Sequence, residues 1–174
     1  MQRIEAVNDF VIKFANVNGS GSASANELFA RSFLRMGIPV SPRNIFPSNI
    51  QGLPTWYEIR VSGRGYTART TSFDLMVALN PATYEKDVAE VQAGGWLLYD
   101  STWPLDERLR RPDVTILGVP LAAMCNEQFN GVRERILMKN IAYAGALAAL
   151  LDLDTAIIRE LLKEKYSRKP ALMD

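Results

Sequence analysis

An apolar run, a loop of small residues and an amphipathic segment follow one another directly in the first quarter of the chain. The run from Phe10 to Asn16 contains β-branched residues, which predicts a strand buried on both faces. The loop reads Asn18-Gly19-Ser20-Gly21-Ser22-Ala23-Ser24-Ala25-Asn26, and apolar residues then recur at helical spacing from Glu27 to Met36. A strand, a small-residue loop and a helix in this order are the parts of a phosphate-binding turn, since the helix N-terminus favours an anion.

This loop supplies the first set of candidate ligand-binding residues. Its two glycines can adopt positive φ and let a ligand approach the backbone, while its serines add hydroxyl donors. The predicted cofactor-binding residues are Asn18, Gly19, Ser20, Gly21, Ser22 and Ser24. A dinucleotide fingerprint would have a third glycine at Ser24 and an acidic residue about twenty positions on, so a tight turn without a ligand is the alternative.

A second candidate site is the loop from Pro47 to Thr55. It contains two prolines, a glycine and several amide or hydroxyl side chains, which make it stiff and polar. Such a loop suits ligand recognition as well as simple turning. The predicted substrate-binding residues in and before this loop are Arg43, Ser48, Asn49, Gln51 and Gly52.

Strand and helix patterns alternate along the rest of the chain. Together they predict one α/β domain over residues 1–174, with a doubly wound, Rossmann-like, mostly parallel sheet and antiparallel edge strands. The predicted strands after the first are Val40–Phe46, Trp56–Ser62, Phe73–Leu79, Trp96–Tyr99 and Val114–Val119. The predicted helices after the first are Ala82–Ala93, Leu121–Cys125, Val132–Leu151 and a last one capped by Asp154. We expect the strand Trp56–Ser62 to be half-buried. We expect Gly94-Gly95 to end the helix Ala82–Ala93.

Composition limits the chemistry of the chain. It has no histidine and one cysteine, Cys125, so it lacks the commonest general base and cannot form a Cys/His metal site or a disulfide. We therefore predict no catalytic residue and no metal site on this chain alone. The net charge of +1 gives no reason to expect a nucleic-acid partner. The longest apolar stretch, Ile141–Leu151, is too short to span a bilayer, and a cytoplasmic location is expected.

Several segments, in order, resemble the gamma domain of 2-oxoacid:ferredoxin oxidoreductases. They are Phe14–Asn26, Pro39–Trp56, Asp74–Pro81, Leu98–Ser101, Gly118–Leu121 and Asn140–Leu151. The stretch from Ser41 to Trp56 is the most specific and resembles the branch that uses 2-oxoglutarate or related 2-oxoacids. Ser22 stands where the family's Gly-x-Gly-Gly loop has its last glycine.

The resemblance implies a function within a larger enzyme. That family oxidises 2-oxoacids with coenzyme A to acyl-CoA, CO2 and reduced ferredoxin. Thiamine diphosphate, Mg and iron–sulfur clusters would lie in thiamine-binding partner domains or subunits, with this chain as a separate subunit or a fragment. The gamma domain would pack on those domains and help close the active site on the coenzyme A side, with Pro47–Thr55 reaching the reaction centre.

Two other functions are compatible with the residues. One is a free-standing NADP-dependent reductase in which Arg43 holds the 2′-phosphate. The other is an assembly domain whose small-residue loop binds nothing. Whatever the function, the alanine-rich second half of the long helix is apolar on more than one face, which predicts self-association or a partner.

Overall fold

The computed structural model describes residues 8–69 and 71–167, which form six strands and five α-helices. The strands are β1 (Asp9–Val17), β2 (Val40–Ile45), β3 (Pro54–Ser62), β4 (Phe73–Ala78), β5 (Val91–Asp100) and β6 (Thr115–Val119). The helices are α1 (Ser22–Arg35), α2 (Tyr84–Ala89), α3 (Leu121–Gln128), α4 (Val132–Leu150) and α5 (Thr155–Tyr166), and a 3-10 turn, Pro81–Thr83, precedes α2. The alternating architecture predicted from the sequence is confirmed.

The strands form one mixed sheet in the order β2-β3-β1-β4-β5-β6. Strands β1, β4, β5 and β6 are parallel, and β3 and β2 continue the sheet antiparallel to their neighbours. The predicted antiparallel edge is therefore present as β2, which carries Pro42 where a central strand would need its N–H. The carboxyl ends of β1, β4 and β5 meet at one edge of the sheet, together with the connection from β2 to β3.

Two apolar layers cover β1, so the expectation that it is buried on both faces is confirmed. One layer joins α1 and α4 to the sheet through side chains such as Phe14, Phe29 and Tyr143. The other joins α2 to the opposite face through side chains such as Tyr84 and Leu97. Aromatic rings meet edge-on between β1 and α1, with Phe14 and Phe29 centroids 6.0 Å apart.

The segment around Gly94-Gly95 differs from the prediction. Helix α2 ends at Ala89, and both glycines lie inside β5, where the pairing with β4 shifts between Phe73 and Leu75. Gly94 has φ +79°, and a Cβ on Gly95 would lie 3.0 Å or less from Val91 and from two backbone carbonyls. The glycines therefore accommodate a strand bulge and do not end a helix.

Strand β3 is also more buried than its alternating sequence indicates. It lies between β2 and β1 in the sheet. It starts at Pro54, so the loop before it ends at Leu53 and not at Thr55 as predicted. Glu58 on its polar face is 7% exposed and is paired with Arg69 at 3.4 Å. The Lys13 ammonium lies 4.0 Å from Glu58 and 2.6 Å from Glu90. Paired charges thus replace the solvent that we expected on this face.

Helix α5 packs on α1 and leaves an open channel beside α4, which we call the apolar groove. Its volume is about 590 Å³, and the residues of α4 and α5 that line it include Ile141, Ala144, Gly145, Ala148, Ile158, Arg159, Leu162, Lys163 and Lys165. Asp154 caps α5 by accepting a hydrogen bond from the Ala156 N–H, as predicted. None of the helices among the described residues has the length and apolarity needed to cross a bilayer.

Candidate functional site

The two loops singled out in the sequence form one hydrogen-bonded unit at the carboxyl end of β1. Because β3 runs antiparallel to β1, Pro54 pairs with Val17 and the β2–β3 loop (Phe46–Leu53) returns beside Asn18. The Asn18 N–H donates to Leu53 O at 2.8 Å, and Asn18 O accepts from the Gly52 N–H at 3.0 Å. The Asn18 side-chain amide donates to the carbonyls of Ser48 and Ile50. Asn18 therefore holds the β2–β3 loop in place.

The two glycines of the first loop serve different purposes. Gly19 has φ +85°, and a Cβ there would lie 2.7 Å from Gln51 Cγ, so the β2–β3 loop occupies the space above it. Gly21, with φ +76°, is the N-cap of α1 and leaves the helix start without a side-chain cap. The positive φ values predicted for both glycines are present, but Gln51 lies over Gly19, whereas a Cβ on Gly21 would meet only Asn140 Nδ2, at 3.8 Å.

A cavity of about 240 Å³ lies between the start of α1 and the β2–β3 hairpin. It is lined by Asn16, Asn18, Gly19, Gly21, Ser22, Ala23, Asn26, Asn44, Phe46, Thr55, Trp56 and Tyr57. The lining contains amides, hydroxyls and aromatic rings and no Lys, Arg, Asp or Glu side chain. Burial, with a smaller effect of the Glu27 charge, raises the pKa of the Tyr57 phenol, which therefore stays neutral.

Asn16 is a cavity residue that our sequence interpretation missed. It is the penultimate residue of β1 and is 5% exposed, and strand alternation places its side chain on the same face as Phe14. Its side-chain N–H finds no acceptor among residues 8–69 and 71–167. A polar residue at the end of an otherwise apolar run, directly before the glycine loop, was the signal that could have identified it.

The candidate residues of the β2–β3 loop have different environments. The Ser48 hydroxyl accepts a hydrogen bond from the Ile50 N–H, so it shapes the turn. Asn49, Gln51 and Gly52 are exposed. Large apolar side chains are exposed beside them: Phe46 by 57%, Ile50 by 61% and Leu53 by 41%. The sequence interpretation stressed the amides and overlooked these exposed apolar side chains.

Arg43, Ser20 and Ser24 lie outside the cavity lining. Arg43 is exposed on β2 and pairs in register with Glu58, whereas its neighbour Asn44 lines the cavity, so the two side chains leave opposite faces of the sheet. This orientation disfavours the NADP-reductase reading, in which Arg43 would bind a phosphate at the glycine loop. Ser24 is exposed in the first turn of α1, and its carbonyl accepts a hydrogen bond from the Lys165 ammonium.

Comparison with known proteins identifies the family. Residues 11–174 match the family model described as pyruvate ferredoxin/flavodoxin oxidoreductase. The chain belongs to the pyruvate ferredoxin/flavodoxin oxidoreductase family. A comparison with curated proteins finds no match.

Solved structures agree with this family. A 2-oxoglutarate:ferredoxin oxidoreductase from Magnetococcus marinus, with 2-oxoglutarate, coenzyme A and succinyl-CoA bound, is 25% identical with a TM-score of 0.83. The match covers 94% of this chain but only 28% of that one. Pyruvate oxidoreductase subunit PORC from Thermotoga maritima shares the fold at 18% identity, with a TM-score of 0.72 and coverage of 91% of this chain and 86% of that one. The gamma subunit of a keto/oxoacid ferredoxin oxidoreductase from Geobacter sulfurreducens does so at 19% identity, with a TM-score of 0.71 and coverage of 89% and 85%.

At the same sheet edge of this member of the pyruvate ferredoxin/flavodoxin oxidoreductase family, the polar residues at the ends of β4 and β5 form hydrogen bonds that shape the chain. Asn80 accepts a hydrogen bond from the Ala82 N–H and starts the 3-10 turn before α2. Asp100, fully buried, accepts from the N–H groups of Thr102 and Ala122 and lies 3.8 Å from the Lys139 ammonium. Neither Asn80 nor Asp100 lines the cavity, so the candidate site is confined to the β1 side of this edge.

Proposed function

We propose that residues 1–174 are the gamma module of a thiamine-diphosphate-dependent 2-oxoacid:ferredoxin oxidoreductase. The complete enzyme would convert a 2-oxoacid and coenzyme A into acyl-CoA, CO2 and reduced ferredoxin. Family membership over residues 11–174 supports this function, as does the likeness to the 2-oxoglutarate enzyme, of which the chain spans 28%. The module would act in the cytoplasm, as a separate subunit or as part of a longer chain.

The residues present do not fit the redox cofactors of such an enzyme. An iron–sulfur cluster needs several cysteine ligands, and the chain has one cysteine. In residues 8–69 and 71–167, no group of three His, Cys, Asp or Glu side chains is placed to hold a metal ion. Thiamine diphosphate, Mg and the clusters are therefore assigned to thiamine-binding partner domains or subunits, through which ferredoxin would receive electrons.

The single observation that carries the proposed role is the construction of the β2–β3 loop. The Asn18 side-chain amide donates to two carbonyls of this loop, while Phe46, Ile50 and Leu53 on the loop are exposed. Large apolar side chains exposed on one short, hydrogen-bonded loop favour burial against another protein surface. In the proposed assembly the loop would pack on the thiamine-binding domains and present its amides to the substrates.

Two groups of residues would then contact substrates. The exposed amides of Asn49 and Gln51 can donate hydrogen bonds to a carboxylate or to an amide of coenzyme A without ionising. The first turn of α1, at Ser22 and Ser24, offers backbone N–H groups to an anionic group. Because no cation lines the cavity, the phosphates of coenzyme A would be bound elsewhere in the complex.

Alanine substitutions in the reconstituted complex test this role. Asn49→Ala should lower turnover or raise the Michaelis constant for the 2-oxoacid or coenzyme A, because it removes a direct donor. A loss of about 1–3 kcal/mol is expected when a buried partner is left unpaired. Ser48→Ala should have a similar effect through the shape of the loop, because its hydroxyl holds the Ile50 N–H.

The control is Asn130→Ala, which changes an exposed asparagine in the connection between α3 and α4. It should leave the kinetics unchanged, and the purified chain without partners should not turn over 2-oxoacids. Unaltered kinetics for both substrates in Asn49→Ala and Ser48→Ala would show that the loop is only structural. Turnover of 2-oxoglutarate by the chain alone would contradict the division of labour proposed here.

A further inference from the structure

The asparagine that ends the buried part of β1 is satisfied differently from the other asparagines around the candidate site. Asn18 donates to two loop carbonyls, Asn26 accepts from the Tyr143 hydroxyl at 2.7 Å, and Asn140 donates to Ser20 O at 2.9 Å. Asn16 is as buried as these residues or nearly so, yet its N–H groups have no acceptor within the described parts of the chain. An unpaired buried amide weakens a fold, because folding removes its water without replacing the hydrogen bonds.

The position of Asn16 connects this unpaired amide to the cavity. Asn16 lines the cavity together with Ser22 and Asn26 from the first turns of α1. Gly21, the N-cap of α1, has no side chain that could cap the helix, so the dipole and the N–H groups of its first turn act on the same space. The unpaired Asn16 Nδ2 is itself enclosed in this structure. Rotation of the amide about its Cβ–Cγ bond exchanges its N–H and carbonyl ends and would turn the donor toward the cavity.

We infer that this cavity binds a small organic carboxylate, with Asn16 as the donor that selects it. The carboxylate oxygens would accept from the Asn16 amide and from the N–H groups at the start of α1. The carbon part of the ligand would lie against Phe46 and Tyr57. A volume of about 240 Å³ is below the usual range for drug-sized ligands and suits a small acid better than a whole nucleotide.

The charge of the lining distinguishes a carboxylate from a phosphate. Phosphate groups in proteins are usually met by Arg or Lys, and neither lines this cavity. A helix N-terminus and an amide donor suit a single negative charge, and a carboxylate carries one. The inference rests on the part of the proposed function that places an anion at the Asn18–Ser24 loop, and it names the chemical class of that anion.

Titration of the full chain, without partners, tests the inference by heteronuclear NMR. The probes are sodium propionate and inorganic phosphate, each at constant ionic strength made up with sodium chloride. Propionate should shift the Asn16 side-chain amide and the backbone amides of Ser22 to Ser24 in a saturable way. Phosphate and chloride should not produce saturable shifts at these positions.

Two substitutions at Asn16 identify the donor. Asn16→Leu removes the amide, and Asn16→Asp keeps its shape but adds a charge that repels the ligand; each should weaken propionate binding at least tenfold. Asn126→Leu, at an exposed position on α3, is the matched control and should bind as the unchanged chain does. Because the Asn16 Nδ2 has no hydrogen-bond partner among the described residues, Asn16→Leu should melt at the same temperature or higher.

Four outcomes would overturn the inference: no saturable shift with propionate, equal binding of phosphate, unchanged binding by Asn16→Asp, or retained binding by a folded Asn16→Leu. The oxidoreductase assignment fails separately, through an inactive reconstituted complex, and such a failure would leave propionate binding by the single chain intact.

Discussion

The polar cavity beside β1 and the apolar groove beside α4 are both formed partly by α1, but they are built in opposite ways. The surroundings of the cavity are fixed by hydrogen bonds made within the chain, centred on Asn18 and Asn26. The groove has an apolar floor, and three cations, Arg159, Lys163 and Lys165, are among its lining residues. Polar contacts within the chain therefore hold the surroundings of the cavity, whereas the groove exposes apolar area that a second surface would cover.

We expect the largest loss of stability from a residue that joins α4 to α1, the helix that lines both the cavity and the groove. Tyr143→Phe leaves Asn26 without the hydroxyl that donates to it at 2.7 Å, deep between α1 and α4. The free energy of unfolding should fall by about 1–3 kcal/mol, because a buried acceptor becomes unpaired. Urea denaturation measures this loss. A change within the error of the measurement would show that the pair does not hold the two helices together.

The same substitution has a predicted pH dependence. Burial raises the pKa of the Tyr143 phenol above its ordinary value of 10.0, so the folded chain keeps this proton after the unfolded chain has lost it. Tyr143 therefore contributes stability below pH 10 that is lost as the pH rises further. The difference in unfolding free energy between the unchanged chain and Tyr143→Phe should narrow above pH 10. A gap that stays constant to higher pH would contradict this sign.

The next largest loss of stability is expected when the hydrogen bonds from Asn18 to the β2–β3 loop are removed. Asn18→Ala removes the two side-chain bonds to the carbonyls of Ser48 and Ile50. We expect a loss of about 1–2 kcal/mol in unfolding free energy, since one of the carbonyls is exposed to water. Hydrogen exchange should accelerate at Ile50 and Gly52 but not in α5. If hydrogen exchange accelerated equally in the loop and in α5, the Asn18 side chain would not be stabilising the β2–β3 loop in particular.

Two glycines with similar backbone conformations test the contact between the two loops. Gly19 and Gly52 both have positive φ, at +85° and +90°, but only Gly19 has a close neighbour, Gln51. Each alanine substitution should cost about 1 kcal/mol of backbone strain, and Gly19→Ala should cost up to about 1 kcal/mol more because Gln51 must move.

The extra cost should disappear when Gln51→Ala is combined with Gly19→Ala, which a double-mutant cycle measures by thermal unfolding. If Gln51→Ala gives no rescue, the contact between the loops is not responsible for the glycine at position 19.

The smallest effect on stability is expected in the groove. Gly145 lies within α4, is exposed, and a Cβ there would meet nothing within 4 Å. Gly145→Ala should therefore raise the free energy of unfolding by about 0.5–1 kcal/mol through helix propensity alone. A loss of stability would show that the groove is narrower than the structure indicates.

Gly145→Leu then tests whether the groove is a contact surface. If the long helix mediates self-association or partner binding, a bulky side chain in the groove should weaken that association without unfolding the chain. Light scattering over a concentration series measures it, with Gly145→Ala as the control. A monomer at all concentrations, with no partner bound through α4, would contradict the predicted role of the helix.

Local sequence determined the elements of this protein and their order. The apolar run to Asn16, the glycine loop and the amphipathic segment after it became β1 and α1, because periodicity records which side chains must face a core. Pro42 lies in the edge strand β2, and Asp154 caps α5 as predicted, because both residues act on the backbone next to them.

The tertiary structure decided which of these residues meet. Only the pairing of β3 with β1 brings Gln51 over Gly19 and lets Asn18 hold the β2–β3 loop. Only the strand order turns Glu58 from a solvent-facing residue into a partner of Arg69, and Gly94-Gly95 from a helix stop into a bulge. Side-chain period shows which face a residue occupies, but the neighbours on that face come from strands and helices distant in sequence, which no local pattern encodes.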